Sequence, residues 1–158
     1  MQIRILCVGK LKEIFYQKGC AEYQKRLARF AKVEIVEIAD EPAPERCSAA
    51  QQQAILQKEA QRLLDRLKPG PVVALCIEGR QMDSPTFAAQ LQRTLEGGTP
   101  CVQFLIGGSL GLHASAIARA DQKLSLSSFT FPHNLARLVL LEQVYRAMKI
   151  NRHEAYHK

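Results

Sequence analysis

The stretch Cys101-Val102-Gln103-Phe104-Leu105-Ile106-Gly107-Gly108-Ser109-Leu110-Gly111 decides the fold. Its first six residues are almost all apolar, which predicts a strand that is buried on both faces of a sheet. Glycines follow at once, and glycine lets the backbone turn sharply and approach a ligand because it carries no Cβ. We therefore expect a buried strand that ends in a tight turn, which serves either as a ligand cradle or only as a strand-to-helix connection.

Short strand-like runs alternate with longer helical patterns on both sides of this stretch. Strands are predicted at 3–8, 33–38 and 72–77, the last one buried on both faces, and a loop is predicted at 124–131. Helices are predicted at 14–30, from the N-cap Ser48 to Leu67, from the N-cap Ser84 to Gly97, at 114–120, and from Pro132 to about Ile150. This alternation predicts an α/β fold, with a mostly parallel sheet and helices on both faces. The length of 158 residues suits a single domain spanning 1–158.

Composition and charge exclude several classes of protein. With 47% hydrophobic and 23% charged residues the chain is expected to fold, and no apolar run approaches the roughly 20 residues of a membrane span. The 22 Lys and Arg residues exceed the 15 Asp and Glu residues, and the net charge of +7 favours binding to a polyanion such as nucleic acid. Five scattered cysteines and the absence of a signal-peptide pattern favour a reducing compartment. We therefore expect the protein in the cytoplasm, with no membrane partner.

Several catalytic motifs are absent from the sequence. It has no G-x-x-x-x-G-K-[ST] phosphate loop, no G-x-S-x-G nucleophile turn and no H-E-x-x-H metal motif. The four histidines are scattered, so we expect no metal site. In parallel sheets ligands bind beyond the carboxyl ends of the strands, which selects the segments 78–80, 107–111 and 126–131 as candidate ligand-binding loops.

The first and last helices carry the basic and apolar surfaces of the chain. The basic residues of the first helix project away from its apolar stripe and form either an RNA phosphate-binding face or a solvated outer face. In the last helix the run 138–141 is apolar round more than half of the circumference. That pattern indicates burial within the domain or, as we expect for so small a chain, a dimer interface. The tail 151–158 contains Arg, Tyr and His residues that suit contacts with bases and phosphates, although chain ends commonly fray.

Separate blocks over nearly the whole chain resemble one family. They are Val8-Gly9-Lys10, Leu105-Ile106-Gly107-Gly108, Gly111-Leu112, Leu124-Ser125, Thr130-Phe131-Pro132-His133, Arg137, Glu142, Tyr145-Arg146-Ala147 and Tyr156-His157. Together they make the chain similar to the ribosomal RNA large subunit methyltransferase H family, which belongs to the SPOUT class of S-adenosylmethionine-dependent methyltransferases. The resemblance implies a C-terminal trefoil knot, a homodimer, and methylation of N3 of a pseudouridine in large-subunit rRNA on the assembled 70S ribosome.

The resemblance implies the cofactor-binding residues, and residue type and charge indicate the catalytic and RNA-binding ones. The S-adenosylmethionine pocket would use Leu75, Gly107, Leu126, Ser127, Ser128, Phe129, Thr130 and Phe131. Catalytic roles would fall to His133, Arg137, Glu142, Tyr156 and His157. A histidine or Glu142 would remove the N3 proton and an arginine would stabilise the negative charge, whereas His133 has the alternative of only satisfying nearby backbone. RNA contacts would come from Lys10, Lys12, Lys18, Lys25, Arg26, Arg29, Arg146 and Arg152.

One hypothesis extends this interpretation, and two alternatives stand beside it. Tyr156 and His157 of one subunit are expected to close over the cofactor of the other subunit, which would make a composite site. The first alternative is a non-enzymatic ribosome- or RNA-binding protein in which the glycines serve only as turns. The second is a SPOUT methyltransferase that acts on tRNA.

Overall fold

Strands and helices alternate along the chain as the sequence predicts. The computed structural model describes residues 1–98 and 101–158. The strands are β1 (Gln2–Val8), β2 (Lys32–Ile38), β3 (Val72–Arg80), β4 (Cys101–Ile106) and β5 (Gln122–Leu124). The helices are α1 (Ile14–Leu27), α2 (Ala49–Leu64), α3 (Ser84–Glu96), α4 (Ala114–Arg119) and α5 (His133–Asn151).

The strands form a sheet in the order β2-β1-β4-β3-β5, and each pair of neighbours is parallel. β1 pairs on both sides, with Ile5 opposite Ile35 of β2 and Phe104 of β4. Because the strands share one direction, their carboxyl ends meet at one edge of the sheet. The predicted α/β fold with a parallel sheet is confirmed, whereas the trefoil knot stays a prediction.

Helices cover both faces of the sheet. On one face α1, α3 and α5 contribute Leu27, Phe87 and Leu140 to the larger apolar core. On the opposite face α2 and α4 contribute Leu63 and Ala116 to a smaller core. Every residue of β4 is buried, because successive side chains of this central strand enter the two cores alternately. The expectation of a fully buried strand at 101–106 is confirmed.

Two helix starts test the predicted caps. Ser48 caps α2 as predicted, since its hydroxyl accepts the N–H of Gln51 and the Gln51 side chain accepts the N–H of Ser48. The prediction that Ser84 caps α3 is wrong by one residue, because the carboxylate of Asp83 caps this helix instead. The Ser84 hydroxyl donates to Oε1 of Gln143 at 2.7 Å, which ties α3 to α5.

β3 differs most from its prediction. It continues to Arg80, so the segment 78–80 belongs to a strand and not to a loop. Its first residues are buried, but Ile77 is 55% exposed, so the expected burial on both faces is wrong for the second half. The pairing of β3 with β5 is interrupted between Leu75 and Arg80. β5 itself was not predicted, since three residues are too few to show an alternating pattern.

Two helices end earlier than the sequence predicts, α1 at Leu27 and α2 at Leu64. Phe30 lies beyond the end of α1 and is nevertheless buried. Phe30 continues the helical spacing of apolar residues, so the sequence predicted a helix as far as Phe30, although the chain forms a turn there.

α5 packs on the sheet against α1 and α3. Leu140, Leu141 and Val144 are buried within this chain, so burial in the domain explains much of the apolar run that was expected at a dimer interface. Leu135 and Val139 are only partly buried. The homodimer stays a prediction.

Neither a membrane span nor a metal cluster is found among residues 1–98 and 101–158. In this part of the chain no helix combines the length and the apolar character needed to cross a bilayer. No three His, Cys, Asp or Glu side chains of the same residues lie close enough together to hold a metal ion. The expectation that the protein uses no metal stays a prediction.

Candidate active site

A cavity of about 440 Å³ opens at the carboxyl edge of the sheet. Its lining consists of residues 75–78 of β3, 106–112 after β4, 124–127 and 129–131 after β5, and Ile117, His133 and Ala136. Its position follows the rule that α/β sheets bind ligands beyond the carboxyl ends of their strands. Its volume suits a small organic ligand.

The glycine turn after β4 brings two segments of backbone into contact. A Cβ on Gly107 would lie 2.2 Å from the carbonyl oxygen of Gly111, a distance at which something would have to move. Gly108 accepts the N–H of Gly111 at 3.0 Å, and Gly111 has a φ of 83°, a left-handed conformation that favours glycine. The turn therefore requires glycine at position 107, and its backbone forms one wall of the cavity.

Short hydrogen bonds fix the loop that follows β5. The Ser125 hydroxyl donates to the carbonyl oxygen of Ser127 at 3.0 Å, and the Ser127 hydroxyl accepts the N–H of Phe129 at 3.0 Å. β3 approaches the start of this loop at Gly79, where a Cβ would lie 2.6 Å from the carbonyl carbon of Leu124. Small residues thus bring the two backbones together at the edge of the cavity.

Seven of the eight predicted cofactor residues line this cavity. They are Leu75, Gly107, Leu126, Ser127, Phe129, Thr130 and Phe131. Ser128 is the exception: it is exposed, and its hydroxyl accepts the side-chain N–H of Gln81 at 3.5 Å. Phe129 is 80% exposed, so it lies at the mouth of the cavity. The cofactor role of the set stays a prediction.

Part of the lining was not predicted from the sequence. Cys76 and Ile77 border the cavity where the pairing of β3 with β5 is interrupted, and they were in none of the candidate segments, whereas Glu78 belongs to the selected segment 78–80. Burial raises the pKa of the Cys76 thiol, which therefore stays protonated near neutral pH. Glu78-Gly79 after an apolar strand was the signal that selected 78–80, and it gave no sign that the cavity extends back along the strand to Cys76 and Ile77.

His133 and Arg137 lie one turn apart in α5 but have different surroundings. His133 lines the cavity, and its burial, reinforced by the positive charge of Arg137, lowers the pKa of its imidazole. Arg137 is 2% exposed and donates to Glu37 at 2.6 Å and to the carbonyl oxygen of Gly9 at 3.2 Å. It fixes α5 against the ends of β1 and β2, and the cavity lining among the described residues does not include it. Its geometry supports a positioning role.

The C-terminal tail folds back instead of fraying. His153 adopts a left-handed conformation with a φ of 54°, and the N–H groups of His153 and Glu154 donate to the carbonyl oxygens of Ile150 and Lys149. This pattern is a Schellman turn, which ends a helix and redirects the chain. The Glu154 carboxylate then accepts from the Lys149 ammonium at 2.7 Å and also pairs with Arg29 of the turn after α1.

Glu142, Arg146, Tyr156 and His157 form a second group, here called the tail cluster. The Glu142 carboxylate accepts from Arg146 at 2.6 Å and from the Tyr156 hydroxyl at 3.1 Å. The Arg146 guanidinium lies over the Tyr156 ring and contacts Nδ1 of His157 at 3.3 Å. Burial raises the pKa of Tyr156, as do its hydrogen bonds, so the hydroxyl stays protonated and donates to Glu142.

The five predicted catalytic residues therefore do not form one site within this chain. His133 lies at the cavity, Arg137 is buried behind it, and the other three belong to the tail cluster. Among residues 1–98 and 101–158, the cavity lining includes no member of the tail cluster. A site that uses both groups needs either a second chain or a movement of the tail.

The predicted RNA-binding residues are mostly on the surface. The exposed ones are Lys10, Lys12, Lys18, Lys25, Arg26, Arg29 and Arg152. Arg26 pairs with Glu22 at 2.7 Å and Arg29 pairs with Glu154, so acidic neighbours offset part of this charge. Arg146 is held in the tail cluster. RNA contact by these residues stays a prediction.

Comparison with known families places this arrangement in one of them. A family model described as "Predicted SPOUT methyltransferase" matches residues 1–157. The chain belongs to the SPOUT methyltransferase family. The matched range includes the cavity segments, α5 and the tail as far as His157. The family that the sequence resembles is confirmed.

Relatives of this SPOUT chain match over its full length. The ribosomal RNA large subunit methyltransferase H of Bacillus cereus (strain ATCC 10987 / NRS 248) is 51% identical over 159 residues, covering 100% of both chains. A solved structure of a probable methyltransferase from Bordetella pertussis Tohama I has a TM-score of 0.57 at 16% identity, covering 92% of this chain and 95% of that chain. A Legionella pneumophila protein solved with bound SAM has a TM-score of 0.50 at 11% identity, covering 93% of this chain and 66% of that chain. At these identities the two structures show the shared fold alone.

The lowered pKa of His133 predicts how the activity of this SPOUT protein depends on pH. Only the neutral imidazole accepts a proton, so the methyl-transfer rate should be steady near pH 7 and fall as the pH drops through a pKa below the usual value of about 6.5. His133→Gln should lower the rate by about a hundredfold or more and remove this acid limb. Single-turnover methyl transfer measured across this pH range checks both effects, with thermal unfolding as the control for folding. A variant with the wild-type rate and the same acid limb would show that His133 only satisfies local backbone.

Proposed function

We propose that this protein transfers a methyl group from S-adenosylmethionine to N3 of a pseudouridine in large-subunit rRNA. The observation that carries the proposal is the 51% identity, over the full length of both chains, to a ribosomal RNA large subunit methyltransferase H. The cavity at the strand ends supports it, because it lies where this fold class binds ligands. The pseudouridine N3 atom as acceptor rests on the family resemblance. We place the reaction on the assembled ribosome, and therefore in the cytoplasm.

The chemistry of the cavity suits S-adenosylmethionine. The glycine turn and the loop after β5 leave backbone N–H and C=O groups accessible, and such groups can read the edge of an adenine. Leu75 and Phe131 offer apolar surface, and the Glu78 carboxylate offers a negative charge to a cationic ligand. Bound there, the cofactor would supply a methyl group made electrophilic by its positively charged sulfur.

The chain's own residues would align the acceptor base and remove its proton. Alignment is the larger contribution, since holding two reactants in contact removes much of the entropic barrier. His133 lines the cavity and its pKa is lowered, so the neutral imidazole is favoured, which supports a role for it in accepting the N3 proton. Arg137 holds the start of α5 through Glu37 and Gly9 and so orients His133.

We propose that a homodimer brings the tail cluster of one chain to the cavity of the other. Within one chain the two groups are separate, although the family match spans both. Arg146 in the tail cluster is then the positive group that stabilises charge developing on the base. Leu135 and Val139, which are only partly buried on α5, are available for contact between the chains.

Salt dependence tests the proposed RNA surface on α1. Lys18 and Lys25 are exposed on this helix, and each phosphate contact contributes about one unit to the slope of log K against log salt. Lys18→Glu with Lys25→Glu should weaken binding to ribosomal RNA and flatten that slope by about two units, with S-adenosylhomocysteine binding unchanged. Lys58→Glu is the control, because Lys58 is exposed on α2, which covers the face of the sheet opposite α1. An unchanged slope in the double variant would show that the RNA-binding surface lies elsewhere on the protein.

Methyl transfer to ribosomes tests the function itself. Labelled S-adenosylmethionine is incubated with the protein and with either whole ribosomes or naked rRNA from cells that lack the enzyme, and the modified nucleotide is then mapped. We expect label at a single pseudouridine and a preference for ribosomes. Calorimetric titration with S-adenosylhomocysteine distinguishes a methyltransferase from a protein that only binds RNA, because the latter would show no heat of binding. Label confined to tRNA would contradict the proposed substrate.

A further inference from the structure

We propose that Phe129 is a platform on which an unpaired RNA base stacks at the mouth of the cavity, with Arg80 and Lys123 holding the neighbouring phosphates. This inference rests on the proposed function and names the part of the chain that receives the nucleotide. It assigns to Phe129 a role other than cofactor contact, and it adds two cations to those predicted from the sequence.

The exposure of Phe129 is the first observation. Its side chain is 80% exposed, the largest value among the exposed large apolar residues of the described chain. Ile77, 55% exposed, borders the same cavity from β3. Single exposed apolar side chains are ordinary, but two at one cavity mouth form a patch that indicates a binding surface.

The second observation is that the loop holding Phe129 is fixed in place. The Ser127 hydroxyl accepts the Phe129 N–H at 3.0 Å, and Ser125 in turn bonds the carbonyl oxygen of Ser127. Gln81 of the segment after β3 donates to the hydroxyl of Ser128 at 3.5 Å. A ring presented on a bonded turn loses little freedom when a ligand stacks on it, which favours binding.

Charge identifies the occupant of this patch. Arg80 is exposed and adjoins the loop, because its carbonyl oxygen accepts the N–H of Ser125 at 3.1 Å. Lys123, also exposed, precedes the last residue of β5. Neither cation lines the cavity itself, whose lining among the described residues carries one carboxylate, that of Glu78. An exposed aromatic face on a loop whose adjoining strands carry two exposed cations suits a base with its phosphates, since stacking and phosphate contact are the two means by which proteins hold single-stranded RNA.

The variant Phe129→Trp reports directly on stacking, because the wild-type chain contains no tryptophan and the new indole is the single source of tryptophan fluorescence. In this variant, titration with a short single-stranded oligouridylate should quench the fluorescence, whereas the same length of duplex RNA should quench it less. Phe129→Leu keeps an apolar side chain but has no aromatic face, so its KM for ribosomes should rise about fivefold or more. Its affinity for S-adenosylhomocysteine should not change.

The charge variants complete the test. Arg80→Ala with Lys123→Ala should weaken oligouridylate binding and flatten its salt dependence. Arg93→Ala with Arg119→Ala is the matched control, because both arginines lie in the last turns of α3 and α4 and should leave binding unchanged.

Four results would overturn the platform. The first is that S-adenosylhomocysteine, but not RNA, quenches the fluorescence of the Phe129→Trp variant, and the second is that this fluorescence changes with protein concentration alone. The third is a wild-type KM for ribosomes in Phe129→Leu. The fourth is that the control pair of arginine substitutions weakens oligouridylate binding as much as the Arg80 and Lys123 pair does. The first result makes Phe129 a cofactor contact, and the second makes it a contact between copies of the chain. If the wild-type protein methylates ribosomes in the same experiments, only the platform fails. If it neither binds S-adenosylhomocysteine nor methylates ribosomes, the proposed function fails with it.

Discussion

Removal of residues 155–158 should abolish methyl transfer and leave the affinity for S-adenosylhomocysteine nearly unchanged. The deletion takes Tyr156 and His157 out of the tail cluster, and neither residue lines the cavity of its own chain. If the tail of one subunit completes the site of the other, the loss should be about a hundredfold or more, as for removal of a group that takes part in proton transfer or charge stabilisation. Single-turnover methyl transfer to ribosomes and calorimetric titration of the cofactor product measure the two quantities.

A smaller change controls for general damage to the tail. Tyr156→Phe keeps the ring that packs against Tyr145 and under Arg146 but removes the hydroxyl that donates to Glu142. We expect this variant to keep a folded tail and to lose only part of the activity. Equal activity in the wild-type and truncated proteins would refute the role of the tail.

Gly107→Ala should weaken cofactor binding strongly. The new Cβ would lie 2.2 Å from the carbonyl oxygen of Gly111, so the wall of the cavity that these two residues form has to move. Forcing an extra methyl group into packed structure costs about 1–3 kcal/mol of stability. We therefore expect a melting temperature lower by several degrees and S-adenosylhomocysteine binding weaker by about a hundredfold. Differential scanning and isothermal titration calorimetry measure these effects.

The matched control for this variant is Gly97→Ala. At the C-cap of α3, the nearest atom to a new Cβ is 3.4 Å away, which is ordinary contact. This variant should bind the cofactor product as the wild type does. Wild-type binding in Gly107→Ala would show that the glycine turn is only a connection between strand and helix.

The two inactive variants together test whether the site is composite. Co-expressed chains that carry either Gly107→Ala or the tail deletion would form mixed dimers, in which an intact cavity meets an intact tail once. If subunits pair at random in a symmetric dimer, about a quarter of the wild-type activity should return. A site completed within one chain would show no recovery.

The sheet and its ligand edge could be predicted because they depend on local patterns. The apolar run 101–106 followed by glycines gave a buried strand and a turn, and the structure places both at the cavity. Ser48 was predicted as a cap because capping depends on a few neighbouring residues. The segment 126–131 was selected as a ligand-binding loop from its position, its cofactor role came from the resemblance, and the structure gathers most of its residues at one cavity.

Features that depend on distant contacts could not be predicted in this way. The interruption of β3 between Leu75 and Arg80 arises from pairing with β5, a strand of three residues. The burial of Arg137 depends on Glu37 and Gly9, which are far from it in sequence. The separation of His133 from Tyr156 likewise depends on how the tail folds, and the sequence of the tail does not predict its position relative to the cavity.

The Schellman turn at His153 has a consequence for the proposed homodimer. Because this turn and the pair formed by Glu154 and Lys149 set the course of the tail, these residues lose their conformational freedom when the monomer folds. A partner that docks on them meets a preorganised surface and does not have to order a loose segment, so association keeps more of its favourable free energy. Proline cannot adopt a positive φ, so His153→Pro would leave the tail unordered in the monomer. The entropy of ordering the tail would then be lost when the two subunits associate, which weakens their association.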